Sequence, residues 1–230
     1  MNKMVKGIFK GECRGRFLCE IEIEGTLEIC YVASSSKISD FIDLVDKNVY
    51  LLENASTGTK TRYTLFAFEK TAKNIVLLNL NRVNMILREY LISNGMQKDF
   101  LKSEITFYNG LKADLVYNMS PQTVIYEAKT ILAKEKKSYF PSVKTKRVKN
   151  QLEKFIMMLN EGYEVEYCFF ILDSAIIQLD INVSEPEIVK LFAEAIKLKM
   201  RISIFKLVWD GNNFYAKKDK RMEANFYKRH

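Results

Sequence analysis

The stretch from residue 111 to residue 129, LKADLVYNMSPQTVIYEAK, most constrains how this chain folds. Two apolar runs with strand character, 111–117 and 123–128, flank the turn-rich segment 118–122, and this pattern predicts a β-hairpin. Asp114 lies inside the first run, and Glu127 and Lys129 lie at the end of the second. Because alternate residues of a strand point to the same face, Glu127 and Lys129 project together, and the hairpin can bring Asp114 beside them.

These three charged groups suit metal-dependent hydrolysis of a phosphodiester bond. Two carboxylates and an ammonium among apolar strand positions are costly to bury unless they pair or hold a metal. Carboxylates bind Mg²⁺, which polarises a phosphoryl oxygen and activates water, and a nearby lysine can position that water. We therefore treat Asp114 and Glu127 as candidate metal ligands and Lys129 as a candidate catalytic residue. The alternative is a solvated ion pair on an ordinary strand.

Composition and charge favour a folded protein with an anionic partner. The chain has 230 residues, of which 48% are hydrophobic and 28% charged, which is an ordinary globular mixture of one or two domains. Its net charge of +8 and its pI near 9.1 favour nucleic acid, DNA first, although a lysine-rich surface can also lack a partner. We expect a cytoplasmic protein without a membrane span or export signal. A homodimer is compatible with the sequence, which does not fix the oligomeric state.

Histidine and cysteine usage excludes several kinds of active site. The only histidine is the last residue, His230, so Ser-His-Asp and Cys-His mechanisms and histidine metal sites are not expected. The four cysteines form no C-x-x-C pair, so we expect reduced thiols and no zinc cluster.

The first 80 residues predict a small β-barrel, with an OB-fold as the natural candidate. Basic residues of its loops are interleaved with Phe17, Tyr31 and Tyr63, so they could track a phosphate backbone while the rings stack on bases. The alternative is that these rings fill the barrel core. The short strand-like runs are 5–10, 17–24, 26–32, 49–53, 62–69 and 74–78.

The rest of the chain predicts a mixed sheet flanked by helices, and the whole an α/β (α+β) fold. We expect domains at 1–80 and 81–210, the second beginning with a linking helix, and a basic C-terminal tail at 211–230. After the hairpin come helix 145–160, strand 164–172, a helix opened by a capping box at 184–187, and strand 201–208. The segment that follows Lys129 is strongly basic, which is typical of a solvated or phosphate-facing surface.

The ordered set of motifs resembles the sugar fermentation stimulation protein A (SfsA) family over roughly residues 7–210. Asp114, Glu127 and Lys129 form the pattern D-x12-E-x-K, which is similar to the core of the PD-(D/E)XK nuclease superfamily. The chain departs from the family pattern at Leu111-Lys112, Ser142, Val148 and Gln151. The segments that carry the resemblance are 13–17, 60–64, 79–84, 104–114, 127–129 and 140–152.

The resemblance implies an N-terminal OB-fold-like domain, a C-terminal PD-(D/E)XK nuclease-like domain, DNA binding, and a nuclease activity that uses Mg²⁺ or Mn²⁺. It adds Glu104 as a further acid and Gln151 as a further catalytic residue. A DNA-binding or regulatory protein without turnover, and an adaptor whose charged residues are merely paired, remain as alternatives. The expected nucleic-acid-binding residues are Arg14, Arg16, Lys60, Arg62, Lys144, Thr145 and Arg147.

Overall fold

The computed structural model describes residues 4–13, 15, 17–34, 37–55, 60–142 and 146–229. Six strands precede the first α-helix, and four more lie between it and the second. The strands are β1 (Met4–Cys13), β2 (Leu18–Ile23), β3 (Thr26–Tyr31), β4 (Asn48–Glu53), β5 (Tyr63–Thr71), β6 (Asn74–Leu77), β7 (Leu101–Thr106), β8 (Lys112–Met119), β9 (Gln122–Ile131), β10 (Lys137–Phe140), β11 (Glu164–Ile171), β12 (Gln178–Ile181), β13 (Arg201–Trp209) and β14 (Phe214–Lys218). The helices are α1 (Val83–Ser93), α2 (Lys146–Asn160), α3 (Pro186–Lys197) and α4 (Lys220–Tyr227).

The N-terminal sheet curls into a barrel-like ring. Its strand order is β3-β2-β1-β4-β5-β6, and a pairing of Tyr31 with Thr64 joins β3 to β5 and closes the ring. Alternation explains the inward face, since Cys19, Ile21 and Ile23 of β2 are buried while the glutamates between them face outward. This closed ring agrees with the predicted OB-fold-like barrel.

The second sheet, β14-β13-β11-β9-β8-β7, is mixed. Its centre is parallel, because β11 pairs in parallel with both β9 and β13, and its two edges are antiparallel. β11 is buried on both faces, which is why it reads as a continuous apolar run. The predicted α/β fold with an N-terminal barrel and a mixed sheet is confirmed.

Two apolar cores lie on opposite faces of the second sheet. One is shared by the barrel, by α1 and by sheet residues such as Phe170 and Phe205, so the barrel and the second sheet meet through buried apolar side chains. The other is formed by α2, α3 and α4 with residues such as Tyr167 and Phe169. Gly162 lies in the turn between α2 and β11, where its φ of 89° favours glycine. The hairpin β8–β9 therefore lies between the two cores.

Some sequence-based expectations differ from the structure. The segment expected to be a basic tail contains β14, which pairs with β13, and α4, whose Phe226 is fully buried. The short parallel pair of β10 and β12 was also not predicted. The expected capping box before α3 is not formed: Glu185 is the N-cap, its side chain makes no capping hydrogen bond, and Pro186 is the first helical residue. Proline is favoured there because it needs no partner for a backbone N–H.

Two simpler expectations concern the cysteines and the membrane. All four cysteines are free thiols. Within the described residues, no helix combines the length and the apolar character that crossing a bilayer requires.

Candidate active site

The register of the β8–β9 hairpin brings the predicted acidic residues together. The antiparallel ladder pairs Leu115 with Tyr126, so the next step places Asp114 opposite Glu127. Helix α1 approaches this pair through Asn84, which contacts Asp114, and helix α2 approaches it through Gln151, which lies near Glu127. The charge of Asp114 also acts on the Glu127 carboxyl, as expected for neighbouring groups.

The Asp114 carboxylate is held by two donors. Asn84, in the first turn of α1, donates from Nδ2 to Oδ1 at 3.1 Å. The backbone N–H of Ala128 donates to Oδ2 at 2.9 Å, so the side chain takes a place in the strand ladder. Together these contacts fix the carboxylate from both sides while each oxygen keeps a lone pair.

Glu127 is a nearly buried acid, with 3% of its surface exposed. Burial raises the pKa of Glu127 above its ordinary value, and the negative charge of Asp114 raises it further. Lys129 opposes this rise, because its Nζ donates to Oε1 of Glu127 and lies 5.9 Å from the centre of the Tyr167 ring. Gln151 of α2 lies close enough to favour the ionised form as well.

Several buried polar atoms around this pair lack a partner within the described part of the chain. They are Oε2 of Glu127, Oε1 of Gln151 and the hydroxyl of Tyr167. Tyr167 lies beside Glu127 in the β9–β11 register and is fully buried. Buried polar atoms normally have partners, so such a group marks a place where a water or an ion completes the site.

The carboxylates fit a hard divalent cation. Mg²⁺ is usually held by one or two carboxylates, with water and substrate oxygens completing its coordination. Asp114 and the free oxygen of Glu127 supply that donor type. No cluster of three acidic, histidine or cysteine side chains suited to a metal occurs among the described residues. A protein-only cage is therefore not formed by this part of the chain.

A cleft of about 470 Å³ opens above these residues, between the barrel and the second sheet. Asp114, Lys129 and Arg147 lie on its lining, and Asn84 is beside them. The barrel contributes Ile38 and Phe41. The charged groups thus lie in a concave space of the size that small-molecule sites have.

Comparison with known proteins identifies the family. Residues 79–213 match the family model described as the sugar fermentation stimulation protein RE domain, and this match spans more than half of the chain. The chain belongs to the SfsA family. A sugar fermentation stimulation protein homolog of Desulfitobacterium hafniense (strain DSM 10664 / DCB-2) is 27% identical over 158 residues, 68% of each chain. A homolog of Ruminiclostridium cellulolyticum is 23% identical over 212 residues, 89% of each chain. The family predicted from the motifs is confirmed.

The likeness to a solved SfsA structure extends over nearly the whole chain. The structure of Pyrococcus furiosus SfsA in complex with Ca²⁺ superposes with a TM-score of 0.75 and 18% identity. The match covers 95% of this chain and 96% of that one. At this identity it shows a shared fold, and the Ca²⁺ is a property of the P. furiosus protein.

The remaining predicted site residues are dispersed. Glu104 sits on β7 with its carboxylate exposed and paired with Lys112 at 2.9 Å, and it does not line the cleft. Lys60 is exposed, and Arg62 pairs with Glu53 at 3.0 Å, so both lie on the barrel surface outside the cleft. Four further candidates, Arg14, Arg16, Lys144 and Thr145, lie outside the described residues.

The aromatic residues of the barrel divide between the two predicted roles. Tyr63 is buried in the core, whereas Phe17 and Tyr31 are exposed. Tyr63 therefore fills the barrel core, and Phe17 and Tyr31 lie at the barrel surface.

Sequence reasoning assigned no role to several residues at the site. Asn84 is distant in sequence from Asp114, and only its position in a family motif could have marked it. Tyr167 lies inside an apolar strand, where a tyrosine reads as core. Tyr139 belongs to β10, a strand of only four residues that is too short to be recognised from its sequence, and it lines the cleft and is 49% exposed.

Proposed function

We propose that this protein is a divalent-metal-dependent nuclease that hydrolyses phosphodiester bonds in nucleic acid, with DNA as the first candidate. The observation that carries the proposal is the buried Glu127 carboxylate, which has one oxygen on Lys129 and the other without a partner, opposite Asp114 at a cleft. Burying such a charge is costly unless a cation completes its environment. Membership of the SfsA family and the net positive charge support the same conclusion.

In this proposal the two acids would hold the cation. Asp114 and Glu127 would bind Mg²⁺ or Mn²⁺, and the bound ion would supply Lewis-acid polarisation and an activated water. The binding of Ca²⁺ by P. furiosus SfsA supports a divalent ion at the family's fold, because Ca²⁺ and Mg²⁺ both prefer oxygen ligands. Asn84 and the Ala128 N–H would keep Asp114 oriented toward that ion.

The remaining residues would act on the phosphate. Lys129 would hold the ionised form of Glu127 and place a positive charge where negative charge develops on the phosphate. Arg147, in the first turn of α2, lies on the cleft and would bind a neighbouring phosphate oxygen. Gln151 would orient a water or a ligand oxygen through its unpartnered Oε1. This arrangement would correspond to a PD-(D/E)XK-type second domain that begins near residue 81 and includes β14 and α4, preceded by a barrel domain at 1–80.

A second candidate is a DNA-binding protein without turnover. It is favoured by the absence of a third acidic ligand near Asp114 and Glu127 in the described part of the chain. The departures from the family pattern at Ser142 and Val148, beside the cleft, favour it as well.

Cleavage assays with paired variants separate the two candidates. Labelled single-stranded DNA, duplex DNA and RNA are incubated with the protein in Mn²⁺, Mg²⁺ or EDTA. Glu127→Gln replaces the buried carboxyl with an amide of similar shape. Glu104→Gln makes the same change at an exposed position of β7 that lies outside the cleft. We expect metal-dependent cleavage by wild type and Glu104→Gln, and a loss of about 100-fold or more in Glu127→Gln, with binding in EDTA retained.

Each other outcome has a definite meaning. Cleavage in EDTA, or full activity of Glu127→Gln, contradicts the metal assignment. Binding without cleavage on every substrate selects the binding protein. An equal loss in Glu104→Gln supports the catalytic role that the sequence suggested for Glu104.

A further inference from the structure

We propose that the cleft above Asp114 and Glu127 receives an unpaired nucleotide, so that the substrate is single-stranded nucleic acid or the single-stranded end of a duplex. The inference rests on the proposed function for the position of the cleaved bond. Its evidence is separate, namely the depth of the site, the two kinds of wall that line the cleft, and an exposed aromatic ring at its mouth.

The Glu127–Lys129 pair is largely buried. Lys129 lines the cleft with its side chain 17% exposed, and Glu127, which Lys129 contacts, is more deeply buried, with 3% exposed. A scissile phosphate therefore has to enter the cleft with the sugar and base attached to it. The volume of about 470 Å³ is within the range of small-molecule pockets and suits one nucleotide. A base paired in a duplex has to leave its stack before it can enter such a space.

The walls of the cleft differ in character. Ile38 and Phe41 of the barrel, with Leu80 from the segment before α1, contribute apolar side chains to the lining. Lys129 and Arg147 are the basic residues of the lining, and Asp114 is its acidic residue. A nucleotide has the same division, since its base has two apolar faces and its phosphate is an anion. The apolar wall then contacts the base while the cations contact the phosphate.

The mouth of the cleft extends this pattern. Tyr139 lines the cleft, and its ring is 49% exposed. The same tyrosine borders a surface depression lined by Lys134, Lys136 and Lys137, with Glu135 as its single acidic residue. An exposed ring beside three lysines is the combination with which proteins stack one base of a flexible strand and follow its backbone.

Binding measured without a divalent ion tests the inference independently of turnover. Fluorescence anisotropy in EDTA, at one salt concentration, compares single-stranded DNA, single-stranded RNA and a blunt duplex of the same sequence. Tyr139→Ala removes the ring and Tyr139→Phe keeps it. Tyr215→Ala is the matched control, because Tyr215 is 47% exposed on β14 and does not line the cleft.

We expect the single strands to bind about tenfold more tightly than the duplex. Tyr139→Ala should weaken single-strand binding by about five- to tenfold, within the range for loss of one base stack, whereas Tyr139→Phe and Tyr215→Ala should bind like wild type. The DNA and RNA arms identify which strand the cleft prefers. Circular dichroism of each variant verifies that it is folded.

Failure of this inference is distinguishable from failure of the nuclease proposal. Equal affinity for duplex and single strands, or a single-strand preference that Tyr139→Ala leaves unchanged, overturns the assignment of the cleft even if metal-dependent cleavage is observed. A preference that depends on Tyr139 supports the cleft assignment even if no substrate is cleaved.

Discussion

At the residue scale, the Glu127–Lys129 pair is unusual because the two side chains come from the same strand, two positions apart. Such neighbours normally pair in solvent and contribute little. Here burial raises the pKa of Glu127, and Lys129 is the strongest influence that lowers it again. The lysine therefore favours the ionised form of the buried acid, which is the form that binds a cation.

Replacing Lys129 with methionine tests this role. Lys129→Met keeps a similar length and removes the charge, so the pKa of Glu127 should rise further and its ionised fraction at a given pH should fall. We expect metal-dependent cleavage to fall by about 100-fold or more, and the residual activity to need a higher pH than that of wild type. The pH–rate profile in Mn²⁺ measures both effects.

The matched control is Lys112→Met on the adjoining strand. Lys112 also pairs with a glutamate, Glu104, but both side chains are exposed. Lys112→Met should change neither the cleavage rate nor its pH profile appreciably, because exposed ion pairs are weak. An unshifted profile in Lys129→Met would show that the lysine does not control the ionisation of Glu127.

At the element scale, the success of sequence reasoning follows the strength of local patterns. The hairpin of β8 and β9 was predictable because two apolar runs flank a turn, and its register follows from placing the apolar faces inward. By contrast β10 and β12 are four residues each, and they form only by pairing with one another across a long separation. The helix α4 buries Met222 and Phe226 one turn apart within a basic segment, which is too weak a pattern to outweigh the composition.

Local sequence patterns also limit which residues of the candidate site can be predicted. Asp114, Glu127 and Lys129 could be predicted because they interrupt apolar strands within one short segment. Asn84 and Tyr167 could not, because their contacts with that segment exist only after the chain has folded. Glu104 was assigned by its place in a motif, and its side chain points to solvent.

The helix α4 offers a stability test at this scale. Phe226 is fully buried, and its ring centre lies 5.8 Å from that of Phe169. Phe226→Ala should lower the free energy of unfolding by about 3–5 kcal/mol, because it leaves a cavity in the core beneath α2 and α3. Urea denaturation measures the change. Lys228→Ala, at the exposed end of the same helix, is the control and should stay within about 0.5 kcal/mol of wild type. A small effect of Phe226→Ala would mean that α4 is not docked in solution.

The buried carboxylate of Asp173, just after β11, binds the end of β5 and the start of β6. Asp173 accepts hydrogen bonds from Lys70, from Asn74 at 3.0 Å and from the Ala175 N–H at 2.9 Å. Burial alone would raise the pKa of Asp173, but these donors outweigh it and the net pKa is lowered. Hydrogen bonds of Asp173 thus join the barrel to the second sheet, and these bonds are strongest when the carboxyl is ionised.

This lowered pKa gives a pH-dependent prediction. The ionised Asp173 carboxylate adds to the free energy of unfolding above its unfolded-state pKa, and this contribution is lost as the pH falls through its folded-state pKa. Asp173→Asn should therefore lower the free energy of unfolding by about 1–3 kcal/mol at neutral pH, with the difference from wild type shrinking below about pH 4. Urea denaturation across this range measures it, with the exposed Asp43→Asn as control. A difference that is constant at every pH would rule out the ionised state of Asp173 as the source.

At the scale of the whole molecule, the barrel and the second sheet share one apolar core, and this sharing builds the cleft. The cleft takes one wall from each, so its shape depends on how firmly the two are joined. An apolar junction with a buried carboxylate at its edge favours a fixed arrangement over independent domain motion. The proposed active site is therefore a product of both halves of the chain.

The only tryptophan reports on this junction. Trp209, at the end of β13, lies with its ring centre 6.2 Å from that of Phe66 and 6.5 Å from that of Tyr50, both in the barrel. If the halves unfold as one unit, the urea midpoint from tryptophan fluorescence should coincide with that from far-UV circular dichroism. Phe66→Leu, which trims the barrel side of the contact, should lower both midpoints together. A fluorescence transition that precedes the circular dichroism transition would mean that the barrel separates before either half unfolds, and a cleft that depends on both halves would then open before the protein denatures.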